Sequence, residues 1–97
     1  QPHLFTRTRD FMEDFANSLA MADELILLDI YPAREKPIEG ITSEVLLERV
    51  PMKDKQVCKK EDLLQLVESK RPTLLVTMGA GNIDRLVEPL EKQIATW

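Results

Sequence analysis

The side chains best suited to chemistry lie at the beginning of the chain, in QPHLFTRTR, which holds one histidine, two arginines and no acid. Arg7 is the strongest candidate, because a guanidinium can bind a carboxylate or phosphate through two parallel hydrogen bonds. A helix is predicted to start here, and the free N–H groups of a helix start favour an anion by about 0.3–1 kcal/mol. These residues therefore predict an anion site. The alternative is that Arg7 and Arg9 are solvated and that His3 belongs to a disordered end.

A second polar segment, DIYPAREKPIEG (29–40), follows an apolar run of strand length. Asp29 followed by Pro32 is similar to the phosphoacceptor site of two-component receiver domains. Receivers also need an acidic pair after the first strand and a lysine after the last strand, where this chain has MGAGN. Two other interpretations stay open. The segment is either a rigid proline loop with exposed charged residues or a loop that faces a substrate.

A third segment, MGAGNIDRL (78–86), contains two glycines one residue apart directly after an apolar run. Gly79 and Gly81 permit a tight turn and a close approach of a ligand to a helix start. The dinucleotide-binding pattern G-x-G-x-x-G is not met, because Asp84 stands where glycine or alanine is needed. A purely structural turn is therefore at least as good an interpretation.

No other group of residues indicates catalysis or metal binding. Cys58 is the only cysteine and His3 the only histidine, so neither a zinc site nor a nucleophile–base pair is predicted. A lone cysteine is typical of a reducing, cytoplasmic compartment. The net charge is −4, from 13 basic and 17 acidic residues, which argues against a general nucleic-acid-binding protein. The longest apolar stretch, Leu25 to Leu28, is far shorter than the about 20 residues that cross a bilayer.

Hydrophobic spacing predicts the elements that carry these segments. Phe11, Phe15 and Leu19 recur every four residues and predict one face of an amphipathic helix, with Thr6 or Thr8 as its cap. The other predicted elements are a buried parallel strand over Glu24–Tyr31, a proline loop through Ile41, a helix over 42–50 capped by Thr42 or Ser43, a short strand at Gln56–Cys58, a helix over Glu61–Lys70, a strand over Thr73–Met78, a turn at 83–87 and a helix from about Pro89.

This alternation of strands and helices implies a single domain, residues 1–97, with an α/β layer fold and a mostly parallel sheet. The pattern begins with a helix, which predicts a sheet truncated at its N-terminal edge. An exposed sheet edge invites pairing between copies, so an edge-to-edge dimer is expected.

Taken together, the three polar segments resemble the C-terminal domain of the Mur ligase family. The matching motifs are QPH-x-[FY]-[ST]-R-T-R, then Y-x-A-x-E-x-P-I-x-G, then V-T-x-G-A-G-[ND]-I, in order over essentially all 97 residues. The resemblance implies a Rossmann-like three-layer αβα domain, the third of a three-domain cytoplasmic bacterial enzyme. It implies a ligase that joins L-alanine to UDP-N-acetylmuramate with ATP and Mg²⁺, through an acyl phosphate. The ligase that recycles murein tripeptide shares much of the pattern.

The resemblance also implies roles for individual residues. His3 and Arg7 match positions on the amino-acid side of the cleft between domains, and Arg7 would bind the L-alanine carboxylate or a phosphate oxygen. Tyr31 and Glu35 match a segment that shapes substrate choice. Four further positions match the edge of the cleft, namely Thr6, Gly79, Gly81 and Asn82. The glycine turn among them is expected to have a mainly conformational role.

Two departures qualify these expectations. Leu4 stands where many members of the family have arginine, so one cation is missing. The phosphate-binding G-x-x-G-K-[ST] loop and the UDP-binding domain belong to other parts of the polypeptide. The 97 residues are therefore predicted to be inactive alone, to hold no catalytic residue or metal ligand, and to bind no cofactor without their partner domains.

Overall fold

The chain folds into five α-helices and two short β-strands, and the structure, a computed structural model, describes residues 1–97. The elements are α1 (Phe5–Asp10), α2 (Met12–Leu19), β1 (Leu25–Leu27), α3 (Ser43–Arg49), β2 (Lys55–Val57), α4 (Leu63–Lys70) and α5 (Val87–Ile94). Short 3₁₀ turns over Lys60–Asp62 and Asn82–Leu86 lead into α4 and α5. None of the helices combines the length and the apolar character that crossing a bilayer requires.

The two strands pair in parallel and divide the hydrophobic core into two clusters. Leu25 lies opposite Lys55, and Leu27 lies opposite Val57. Successive side chains of a strand point to opposite faces, so Leu25 and Leu27 join one cluster while Leu28 joins the other. β1 is therefore covered by helices on both faces, which explains its almost unbroken apolar sequence.

The first cluster lies between β1 and the helices α2 and α3. Its other buried members are Met12, Ala16, Leu46 and Val50. Helix α3 is held at both ends by local hydrogen bonds, because the Thr42 hydroxyl accepts from the Val45 N–H at 3.1 Å and Lys55 Nζ donates to the Leu47 and Val50 carbonyls at 2.9 and 2.8 Å. The predicted helix over 42–50 and its Thr42 cap are confirmed.

The second cluster lies on the other face, between β1 and the helices α4 and α5. Its remaining buried members are Cys58, Leu63, Val67, Ile83 and Leu90. The C-terminus docks on α4, since the Trp97 indole N–H donates to a Glu68 carboxylate oxygen at 2.7 Å. The predicted strand near Gln56, the helix ending at Lys70 and the final turn and helix are confirmed, with boundaries shifted by one to two residues.

The beginning of the chain differs from the prediction. Two helices replace the single predicted one, because the backbone breaks at Phe11, whose φ of −116° and ψ of 20° are not helical. Phe11 is 57% exposed, so it does not lie on the inner face as predicted. Neither predicted threonine caps the helix: α1 starts at Phe5, and the Thr8 hydroxyl donates to the Leu4 carbonyl within the helix.

The predicted strand over Thr73–Met78 is not formed, and the predicted strand over Glu24–Tyr31 is regular only over Leu25–Leu27. Directly after β1, the Leu28 carbonyl accepts a hydrogen bond from the Ser43 hydroxyl. Residues 73–78 make one main-chain hydrogen bond, from the amine of Gln1 to the Met78 carbonyl at 2.8 Å. A β-rich sequence needs a neighbouring strand to satisfy its backbone groups, and this segment has none.

The α/β class is thus confirmed, as an α/β domain with a small parallel two-stranded sheet and five helices. These two strands do not form the wider sheet of a Rossmann-like three-layer fold. That finer assignment stays a prediction.

Candidate functional site

The first residues of the chain extend the sheet beside Tyr31. The Tyr31 N–H donates to the Pro2 carbonyl, and the Leu4 N–H donates to the Tyr31 carbonyl, both at 2.8 Å. This pairing forms a parallel bridge between His3 and Tyr31, and their rings stack with centroids 5.8 Å apart and planes at 18°. Two residues predicted to bind substrate, 28 positions apart in the sequence, therefore form one contact.

Gln1 ties this segment to the glycine turn. Its side chain donates to the Asn82 side-chain oxygen at 2.7 Å and accepts from the Ile83 N–H at 3.0 Å. Its main-chain nitrogen reaches the Met78 carbonyl on the other side of the turn. The prediction included Asn82 but missed Gln1. The glutamine that opens the QPH motif was the available signal, because a side-chain amide can satisfy a donor and an acceptor at once.

The glycine turn is packed closely against this segment. A Cβ on Gly81 would lie 2.5 Å from Cγ of Tyr31 and 2.7 Å from Oε1 of Gln1. A Cβ on Gly79 would lie 2.8 Å from a methyl carbon of Ile83 and 3.1 Å from the carbonyl oxygen of Gln1. Both positions need glycine because the chain approaches itself, which agrees with a conformational role for the turn.

Glu35 lies at the start of α1 and not in open solvent beside a ligand site. Its Oε1 accepts from the Phe5 N–H at 2.6 Å and from the Thr6 N–H at 3.2 Å, and its Oε2 accepts from the Thr6 hydroxyl at 2.5 Å. The hydrogen bond from the Thr6 hydroxyl, joined by those from the two N–H groups, lowers the pKa of the Glu35 carboxyl. The internal carboxylate of Glu35 thus occupies the helix start that the sequence predicted for an external anion.

The two arginines of α1 differ in their surroundings. Arg9 pairs with the adjacent Asp10 through a 2.8 Å contact. Arg7 is exposed and makes no ion pair. Its five N–H donors are therefore available for a carboxylate or a phosphate brought from outside the chain.

Leu4 lies between the His3–Tyr31 bridge and α1, and its backbone conformation is strained. Its φ of 69° and ψ of 137° lie outside the regions that a leucine normally adopts. Such backbone geometry costs on the order of 1–3 kcal/mol and persists where the surroundings enforce it. Here the hydrogen bond from Leu4 to Tyr31 and the Glu35 contacts to the next two residues enforce it.

The remaining candidates contribute no catalytic group. Burial and the nearby acids raise the pKa of the Cys58 thiol, which disfavours a reactive thiolate. Asp29 is exposed, with Lys59 3.7 Å away. The structure brings together no group of three acidic, histidine or cysteine side chains that could hold a metal. The receiver interpretation therefore gains no support.

The glycine turn leaves little room for the phosphate groups of ATP or for Mg²⁺. The turn between Gly79 and Gly81 is filled on its inner side by Tyr31 and Gln1, so it is not an open cradle for phosphate groups. No metal-ligating cluster lies near it. The residues of this chain do not fit the nucleotide phosphates or the metal at this turn.

The fold and the site define an α/β domain in which Gln1, His3 and Tyr31 meet the glycine turn beside a small parallel sheet. The sequence comparisons specify it further. The chain is 56% identical to a UDP-N-acetylmuramate–L-alanine ligase of Parabacteroides distasonis over 92 residues, which are 95% of this chain and 20% of the relative. It is 57% identical to a ligase of the same name from Cytophaga hutchinsonii over 91 residues, 94% of this chain and 20% of the relative.

A third relative of that name, from Flavobacterium psychrophilum, is 51% identical over 94 residues, 97% of this chain and 21% of the relative. The chain thus spans about a fifth of the length of these relatives. No protein-family model matches it. The predicted resemblance is confirmed: the chain is homologous to the C-terminal part of UDP-N-acetylmuramate–L-alanine ligases and belongs to their family, the Mur ligases.

Proposed function

We propose that this chain is part of the third domain of an ATP-dependent ligase that joins L-alanine to UDP-N-acetylmuramate in bacterial peptidoglycan synthesis. The observation that carries the proposal is the 56% identity, over 95% of the chain, to a relative named for that reaction. The relatives quoted above all carry the L-alanine ligase name, which favours this reaction over the recycling of murein tripeptide.

The partners of the chain would be the other two domains of the same polypeptide, together with the substrates UDP-N-acetylmuramate, L-alanine and ATP. The relatives are about five times longer than this chain, which leaves room for those domains. ATP with Mg²⁺ would activate the muramate carboxylate as an acyl phosphate, at groups outside residues 1–97. We therefore expect the 97 residues to have no ligase activity alone. The buried lone Cys58 fits a cytoplasmic location.

Within the complete domain, we propose a Rossmann-like sheet in which one more strand lies between β1 and residues 73–78. Two contacts support this order, since Pro2 and Leu4 pair with Tyr31 on one side while Gln1 bonds to Met78 on the other. A strand running into Gln1 would continue that pairing. It would also give residues 73–78 the hydrogen-bonding neighbour they lack.

At the site, the chain would contribute binding and orientation. We propose that Arg7 binds the carboxylate of L-alanine or a phosphate oxygen, with His3 and Tyr31 forming a stacked wall beside it. The exposed and unpaired guanidinium supports this role. Holding a small amino acid in place converts an encounter of two molecules into a reaction within one complex, which contributes much of the rate of such a ligase.

Replacement of Arg7 by alanine in the full-length ligase tests this proposal. Loss of a charge-assisted contact should cost about 1.5–3 kcal/mol in kcat/KM for L-alanine, expressed mainly as a higher KM. The assay is phosphate release at varied L-alanine, with Arg85→Ala as the matched control, because Arg85 is also exposed but lies in the last 3₁₀ turn. Unchanged kinetics of the Arg7 variant would remove Arg7 from the site.

A further inference from the structure

We propose that Glu35 is a positioning residue, which holds the start of α1 so that Arg7 is presented to the cleft, and that it does not itself contact substrate. This inference rests on the proposed function of Arg7. It assigns a different role to a residue that the family resemblance places among the substrate contacts.

The first step is that three donors of α1 already bind the carboxylate of Glu35. Oε1 accepts from two backbone N–H groups at 2.6 and 3.2 Å, and Oε2 accepts from the Thr6 hydroxyl at 2.5 Å. A substrate ammonium would find one acceptor site left, on Oε2, and any further contact with this carboxylate would compete with these hydrogen bonds. Each competing bond would leave a donor of α1 unsatisfied, which is costly where the donor is partly buried.

The second step is that α1 depends on this carboxylate. The helix has six residues, and a helix of that length is not stable by itself in water. Its N-cap, Leu4, supplies no side-chain hydrogen bond and is strained at φ 69°. Glu35 is therefore the group that satisfies the first N–H donors of the helix, from 30 positions away in the sequence.

The third step connects Glu35 to Arg7. Arg7 directly follows Thr6, whose backbone and side chain both bond to Glu35. Loss of these bonds would let the first turn fray and move the guanidinium. The loop that carries Glu35 is itself ordered by a turn, in which the Glu35 N–H donates to the Pro32 carbonyl at 2.8 Å. The proline loop thus fixes the position of Arg7 through one carboxylate.

This arrangement also determines how an anionic ligand can bind. The Phe5 and Thr6 N–H groups at the start of α1 bond to Glu35, so a ligand carboxylate could use them only by displacing Glu35. Arg7 is left as the anion-binding group of α1, since Arg9 is paired with Asp10. The negative charge of Glu35 near the helix start further disfavours a ligand with several negative charges over one with a single carboxylate.

The test compares Glu35→Gln with Glu35→Ala in the full-length ligase. A glutamine side-chain oxygen can still accept from the two N–H groups, whereas alanine leaves them unbonded. We expect Glu35→Ala to raise the KM for L-alanine between about 10- and 100-fold, as small displacements of a binding group can do, and Glu35→Gln to stay within about threefold of the wild type. The KM for ATP should change little in both variants, which controls for misfolding.

The double variant Arg7→Ala/Glu35→Ala then distinguishes the inference from the proposed function. If Glu35 acts through Arg7, its loss adds nothing once Arg7 is removed, and the two effects are not additive. Equal losses in the Gln and Ala variants, or additive effects in the double variant, would overturn the positioning role and indicate direct substrate contact.

Amide hydrogen exchange at Phe5 and Thr6 gives a readout that does not depend on activity. Faster exchange in Glu35→Ala but not in Glu35→Gln is the expected result. If Arg7→Ala leaves the KM unchanged while this exchange difference is observed, the proposed role of Arg7 fails and the anchoring of α1 by Glu35 stands. If exchange is the same in both variants, the anchoring is refuted.

Discussion

The replacement of Gly81 by alanine is the sharpest test of how the glycine turn supports the site. The new Cβ would lie 2.5 Å from Cγ and 2.7 Å from Cδ1 of Tyr31, and 2.7 Å from Oε1 of Gln1. Carbon atoms in contact normally lie about 3.5–4.0 Å apart. The Tyr31 ring would therefore have to move by about 1 Å, which would break its stacking on His3.

The expected cost follows from this crowding. Overpacking of a fitted site costs about 1–3 kcal/mol, and displacement of the Gln1 side chain would weaken a hydrogen bond worth about 0.5–1.5 kcal/mol. Gly81 has a φ of −100°, so no left-handed strain contributes. A loss of about 2 kcal/mol in a domain of this size lowers the Tm by about 8–16 °C.

The assay is thermal unfolding of the 97-residue chain, followed by circular dichroism, together with the KM for L-alanine of the full-length ligase. Gly40→Ala is the matched control, because Gly40 has a φ of +81° with no atom within 4 Å. That variant should lose about 1 kcal/mol through backbone strain alone and leave the KM unchanged. If Gly81→Ala is no less stable than Gly40→Ala and keeps its KM, the close packing of the turn on Tyr31 is wrong.

Two further predictions concern charge and the exposed segment 73–78. The pKa of the Glu35 carboxyl is lowered from 4.5 on folding, so its contribution to stability is present above that pH and is lost as the pH falls through the folded pKa. The Tm difference between wild type and Glu35→Gln should therefore shrink as the pH falls below 4.5, and a constant difference would contradict the lowered pKa. Leu74, Val76 and Met78 are 80, 66 and 72% exposed, so residues 73–78 offer an apolar surface for pairing between copies. Self-association of the isolated chain, measured by sedimentation, should weaken in Val76→Lys but not in the control Val87→Lys. Equal association of the two variants would refute pairing through residues 73–78.

Local sequence signals predicted the elements whose hydrogen bonds close within a few residues. Helix α3 is the clearest case, because Thr42 caps the N–H three positions on and Pro51 follows its end. The prediction of where α1 begins was wrong for the opposite reason. Its cap is a carboxylate 30 positions away, which no pattern within one turn can indicate.

The strand predicted over Thr73–Met78 failed for a related reason. Its composition is that of a buried strand, but a strand is formed by pairing with a neighbour and not by composition. β1 pairs with β2 over three residues, and residues 73–78 have no neighbour of that kind. Their alternate exposed side chains follow from this missing contact.

The sequence by itself determined which chemical groups are present, their order in three motifs and, through homology, the family to which the chain belongs. It thereby identified Arg7 as a cation of the type that binds anions. Only the tertiary structure decided what those groups contact. Glu35 accepts hydrogen bonds from the start of α1, Gln1 bonds to Asn82 in the glycine turn, and Tyr31 stacks on His3. The physical reason is that a hydrogen bond between distant residues depends on their positions after packing, whereas a charge or a local cap is a property of the residue and its immediate neighbours.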